Sequence, residues 1–107
     1  MNMIKFKERE ATLGIALDYV KADMPMDKYE REKKGEGWFS VGYNYILHAD
    51  GSMEVGVPKE QFSCPEVPHY RDHVCVLVMG MEDGQTNKLQ ESALAVLSDE
   101  LHLPIVR

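Results

Sequence analysis

The sequence predicts an α/β fold, a single mixed β-sheet flanked by helices, on three observations. Residues 13–20 and 74–79 are apolar on both faces, as strands in the middle of a covered sheet are. A hairpin pattern centred on Asp50-Gly51 lies between them. Two stretches rich in helix formers, residues 26–34 and 86–101, alternate with these strand candidates. With 107 residues and 44% hydrophobic content, one core is expected, so residues 1–107 read as one domain.

Each element has its own local reason. Period two along residues 13–20 puts Ile15, Leu17 and Tyr19 on one face and Gly14, Ala16, Asp18 and Val20 on the other, with Asp18 the misfit. Pro25 suits a helix start, and Gly35 and Gly37 stop the polar helix that follows. Residues 40–48 and 53–57 form the hairpin strands, with Tyr43 and Tyr45 on a shared face and the Asp-Gly pair supplying positive φ at the turn. Residues 58–72, with Pro58, Pro65 and Pro68, read as a long ordered loop, a length usually tied to function. Gly80 ends the second buried strand, and Thr86 caps a helix that presents Leu89, Ala93, Val96, Leu97 and Leu101 on one face. Residues 103–107 begin like a further strand.

Twelve Lys and Arg against 18 Asp and Glu give a net charge of -6. That balance argues against a nucleic-acid partner, because no cationic excess is available to displace phosphate counterions. No apolar run approaches the roughly 20 residues that cross a bilayer, so no membrane association is expected. Cys64 and Cys75 form no CxxC pair and no leader pattern precedes the first strand, which points to a soluble, cytosolic protein. The seven methionines read as core gap-fillers.

The candidate chemistry is sparse. His69 and His73 have the i, i+4 spacing of a helical zinc pair, but in a predicted loop that spacing does not put two rings on one face. His48 and His102 add no ligand pattern, Cys64 and Cys75 lack a nucleophile signature, and no glycine-rich phosphate loop is present. Lys33, Lys34 and Glu36 read as a solvated helix end. Asp18 stands out, since a carboxylate in an apolar strand must face a groove, a partner or a basic neighbour.

Residues 37–56, from Gly37-Trp38 through Gly42-Tyr43-Asn44 and Asp50-Gly51 to Gly56, resemble the GW…GYH…DG…GR signature of the zinc-dependent N-acetylmuramoyl-L-alanine amidases and peptidoglycan-recognition proteins. The opening residues 6–12 are further similar to the start of the T-odd phage amidase lysozymes, and residues 74–90 to the family's next strand and helix. The resemblance implies an amidase-like fold in a C-terminally shortened form. It also implies departures: the first-strand zinc histidine falls on Asp18, the GYH histidine on Asn44 and the GR arginine on Val57. The family's other two zinc ligands are expected beyond Arg107, and Tyr43 alone keeps a residue of the family's chemistry. One carboxylate does not make a three-ligand zinc site, so the expectation is a pseudo-amidase with no metal and no cofactor.

Because the T-odd lysozymes also restrain the phage RNA polymerase, the resemblance implies a phage protein that inhibits or regulates a host or phage enzyme, a polymerase or an antiviral defence component. The alternatives are a non-hydrolytic binder of a muropeptide or nucleotide in the old groove, and a hydrolase rebuilt from His69 and His73. The candidate binding residues are Phe6, Lys7 and Arg9 in the opening stretch, Asp18, Tyr43 and Asn44 in the groove, and His69, Tyr70 and Arg71 in the loop. The strand edge expected at residues 103–107 adds a possible homodimer contact.

Overall fold

A computed structural model describes residues 11–37, 42–58, 72–82 and 84–106. Among the described residues five strands form one sheet: β1 (Gly14–Val20), β2 (Tyr45–Leu47), β3 (Met53–Val55), β4 (His73–Met79) and β5 (Ile105–Val106). Their order is β3-β2-β4-β1-β5, and only the β2–β3 pair is antiparallel. Helices α1 (Met26–Gly35) and α2 (Lys88–Leu101) cover the two faces. The mixed, helix-flanked sheet is thus the one predicted.

The alternation along β4 sorts the core into two halves. Cys75, Leu77 and Met79 pack with Ile46, Tyr43 and Tyr29 under α1, while Val74, Val76 and Val78 pack with Ile15, Leu47, Leu94 and Leu97 under α2. β4 is central because both of its faces are covered, and Val74 to Met79 are each at most 2% exposed. The assignment of β1 also holds: Ile15, Leu17 and Tyr19 share the α2 side, and Val20 packs on the α1 side. No described helix is long and apolar enough to cross a membrane.

Three details differ from the sequence reading. The α2 cap is Asn87, not Thr86: Asn87 Oδ1 accepts the Gln90 N–H at 2.9 Å, while Gln90 Oε1 accepts the Asn87 N–H at 3.1 Å. This reciprocal capping box satisfies two N–H groups that a lone hydroxyl would not. Second, the buried face of α2 is Gln90, Leu94 and Leu97, whereas Leu89 and Val96 are 59% and 58% exposed. The helix is rotated because Gln90 Nε2 donates to the Met79 and His48 carbonyls, at 2.8 and 3.3 Å, which fixes a polar residue inside. Third, Tyr43 and Tyr45 do not share a face: β2 starts only at Tyr45, and Tyr43 joins the α1 cluster while Tyr45 joins the α2 cluster.

Candidate functional site

The residue that had no place in an apolar strand finds a partner across the sheet. Tyr43 Oη donates to Asp18 Oδ2 at 2.6 Å, and the Tyr19 N–H donates to Asp18 Oδ1 at 2.9 Å. Neither a basic side chain nor bulk water is needed to explain the carboxylate. Tyr43 is 5% exposed, and burial, the hydrogen bond to Asp18 and the Asp18 charge push its phenol far above the ordinary tyrosine range. Tyr29, buried on α1 beside the same cluster, is pushed up to about 12 by burial first and then by Asp18 and the acidic residues of its own helix end. A hydroxyl held so firmly in its protonated form is a hydrogen-bond donor and a wall, not a proton source at neutral pH.

The helix end that covers this corner is less solvated than expected. Lys33 is only 21% exposed in its side chain, lies 5.3 Å from the Tyr29 ring centroid and pairs with Glu36 at 3.5 Å. Its aliphatic stem shields the phenol while its charge sits over the ring.

Asn44, counted among the groove residues by its sequence position, is fully buried and structural. Its Oδ1 accepts the Cys75 N–H at 2.9 Å, and its Nδ2 donates to the carbonyls of Val57 and Pro58 at 3.2 and 3.1 Å. Its backbone N–H meets the Cys75 carbonyl at 2.9 Å. The side chain thereby supplies a rung that the β2–β4 ladder lacks just before Tyr45, and no amide hydrogen remains for a ligand. Val57 is also core, at 2% exposure.

His48 was not singled out by its sequence pattern, yet at the C-terminal ends of the parallel strands both of its ring nitrogens meet carboxylates. Its Nδ1 lies 2.7 Å from Asp23 and its Nε2 3.2 Å from Glu54, and Asp23 also accepts the Ala49 N–H at 3.1 Å. Burial alone would lower the imidazole, but the hydrogen bonds and charges of Asp23 and Glu54 outweigh it and hold it above the ordinary histidine range. Asp50, exposed at the turn, is held below the usual carboxylate range by the Ser52 hydroxyl and N–H. Asp23, Met24, Pro25, His48, Asp50 and Glu54 line one open cleft of about 340 Å³.

Phe6, Lys7 and Arg9, and His69, Tyr70 and Arg71, lie outside the described residues, as do Trp38, Cys64 and most of the proline-rich loop. His73, the remaining member of the proposed pair, meets Asp72 Oδ1 through Nδ1 at 2.6 Å. Cys75 is 1% exposed.

Among the described residues, the surroundings of Asp18 do not fit the zinc centre that the sequence resemblance implies. Both carboxylate oxygens accept hydrogen bonds, one from the Tyr43 phenol and one from the Tyr19 N–H, and neither group is a zinc donor of the kind that imidazole and thiolate are. Among the described residues no group of three or more His, Cys, Asp or Glu is placed to hold a metal ion.

No protein-family model and no curated protein sequence matches the chain. Solved structures do. The amidase LysC from Clostridium intestinale URNW matches with a TM-score of 0.75 at 18% identity, over 98% of this chain and 78% of that one. The peptidoglycan recognition protein PGRP-Hd from Alvinella pompejana matches with a TM-score of 0.77 at 11% identity, over 100% and 80%. A third match, a TM-score of 0.72 at 14% identity over 91% of this chain and 66% of that one, is to the complex of PGRP-LCa and PGRP-LCx ectodomains bound to tracheal cytotoxin.

Proposed function

The chain has the fold of N-acetylmuramoyl-L-alanine amidases and peptidoglycan recognition proteins, and we propose that it uses that fold to bind rather than to hydrolyse. One observation carries the reading. At the strand position where the resemblance places a zinc histidine stands Asp18, and its carboxylate is closed on the hydroxyl of Tyr43, the one residue in common with the family's chemistry. A water activated by zinc needs an open coordination position and an orienting acid or base, and this pair offers neither.

The ligand we favour is a protein, a host or phage enzyme whose activity the bound chain restrains. A shallow apolar groove between β3 and α2, about 360 Å³, is lined by Tyr45, Met53, Val55, Ala93, Val96 and Leu97, and Val55 and Val96 are each 58% exposed. Apolar surface left open beside a sheet edge is typical of protein contacts. The second reading, a muropeptide binder, draws on the tracheal cytotoxin complex among the structural matches.

Affinity capture from the native host separates these readings when run beside calorimetry with purified muropeptides. A stoichiometric protein partner whose binding is lost in Val96→Lys supports the first, and saturable muropeptide binding abolished by Asp18→Ala supports the second. Zinc-dependent peptidoglycan cleavage overturns both.

A further inference from the structure

The cleft at the C-terminal ends of the parallel strands lies apart from the Asp18–Tyr43 corner, yet it is wired to the helix that walls that corner. His48 follows β2, Asp23 lies in the connection between β1 and α1, and Glu54 sits on β3. One imidazole therefore joins the β1–α1 connection to both arms of the β2–β3 hairpin. We propose that Asp23, His48 and Glu54 form a proton-operated clamp in which the doubly protonated imidazole ties Glu54 of β3 to the β1–α1 connection, and which lets Glu54 go when the imidazole loses its second proton.

The logic is one of hydrogen count. Both ring nitrogens face carboxylate oxygens, so both contacts are hydrogen bonds only when both nitrogens carry a proton. A neutral ring has one N–H and one lone pair. The lone pair must then point at a carboxylate, and that contact becomes repulsive.

The two arms are unequal, which decides the one that releases. Asp23 is 2.7 Å from the ring and is held a second time by the Ala49 N–H, whereas Glu54 is 3.2 Å away and its side chain is 42% exposed. Loss of the proton therefore keeps Nδ1–H on Asp23 and frees Glu54 into solvent.

Among the described residues the rest of the surroundings does not supply a competing base. Asp50 in the turn is a further carboxylate lining the cleft and favours the charged ring, while the α2 contact is the neutral Gln90 amide on the His48 carbonyl, and β4 contributes only the end of its strand at Met79 and Gly80. Met24 and Pro25 form the other wall of the cleft, and Met24 and Met26 pack on the Tyr29–Tyr43 cluster. Release of Glu54 is thus felt first in the hairpin, while Asp23 keeps the connection to α1 in place.

Imidazole-detected ¹H–¹⁵N NMR of the full chain from acid to alkaline pH tests the clamp, with Glu54→Gln and Asp23→Asn as variants and circular dichroism as the check on folding. The expected result is a His48 midpoint above 6.5, the ordinary value, that falls in each folded variant, with the Ala49 and Glu54 amides shifting at that same midpoint. A His48 midpoint at or below 6.5, or hairpin amides that ignore the His48 titration, overturns the proposal. Should Asp23→Asn fail to fold, Glu54→Gln alone decides it.

Discussion

Replacing Asn44 by alanine measures how much of the fold rests on a residue that the sequence places in a binding groove. The substitution orphans the Cys75 N–H, which lies in a strand 1% exposed at that position, and removes both hydrogen bonds to the Val57 and Pro58 carbonyls. A buried donor left without a partner costs about 1–3 kcal/mol, and each lost neutral hydrogen bond about 0.5–1.5 kcal/mol. Pro58 sits at the margin and recovers a water, so the expected loss is about 2–4 kcal/mol. For a domain near 100 residues that lowers the melting temperature by about 8–16 °C. Urea unfolding followed by circular dichroism provides the assay, and the midpoint should fall with an unchanged m-value. A loss below about 1 kcal/mol would mean that water reaches the Cys75 amide and that Asn44 is not the missing rung.

Three further outcomes are expected. Tyr43→Phe should keep the fold and cost about 1.5 kcal/mol in denaturant midpoint, the value of one hydrogen bond to a carboxylate, because the half-buried Asp18 can rehydrate. Gly80→Ala should cost at least about 1–2 kcal/mol, since Gly80 has φ +86 and a new Cβ would lie 2.8 Å from Ala49 Cβ; adding Ala49→Gly should restore only the steric part. The imidazole of His48 titrates higher in the folded chain than in the unfolded one, so its stabilisation is complete below about pH 6.5 and is lost as pH rises through the folded value. His48→Gln should therefore lose more stability at pH 6 than at pH 9 by urea unfolding, and an equal loss at both would remove the imidazolium from the explanation.

Much of the fold was legible because its signals are local. Strands β1 and β4 announced themselves by being apolar on both faces, and the hairpin by Gly51 at a turn that requires φ +87. Where polar side chains replace backbone partners, the reading slipped. Gln90 turned α2 away from its most apolar face because its amide closes two carbonyls 11 and 42 residues away in sequence. Asn44 broke the period between Tyr43 and Tyr45 for a similar reason, by bonding to a strand 31 residues on. No periodicity encodes such contacts.

The site was legible in the same proportion. Asp18 was marked as the misfit, but its partner is a tyrosine 25 residues away, and an apolar-strand carboxylate gives no hint of which hydroxyl will meet it. His48 carried one usable signal, a histidine ending a strand just before an Asp-Gly turn. Its carboxylate partners come from two other segments and appear only once the sheet is assembled.

Incubation of the full chain with one equivalent of Zn²⁺ and purified peptidoglycan, followed by quantification of newly freed L-alanyl amino groups, tests the central claim most directly. The closed Asp18–Tyr43 pair predicts no release above the protein-free control. Zinc-dependent release that disappears with a chelator and in Tyr43→Phe would contradict it and restore the chain to the hydrolases.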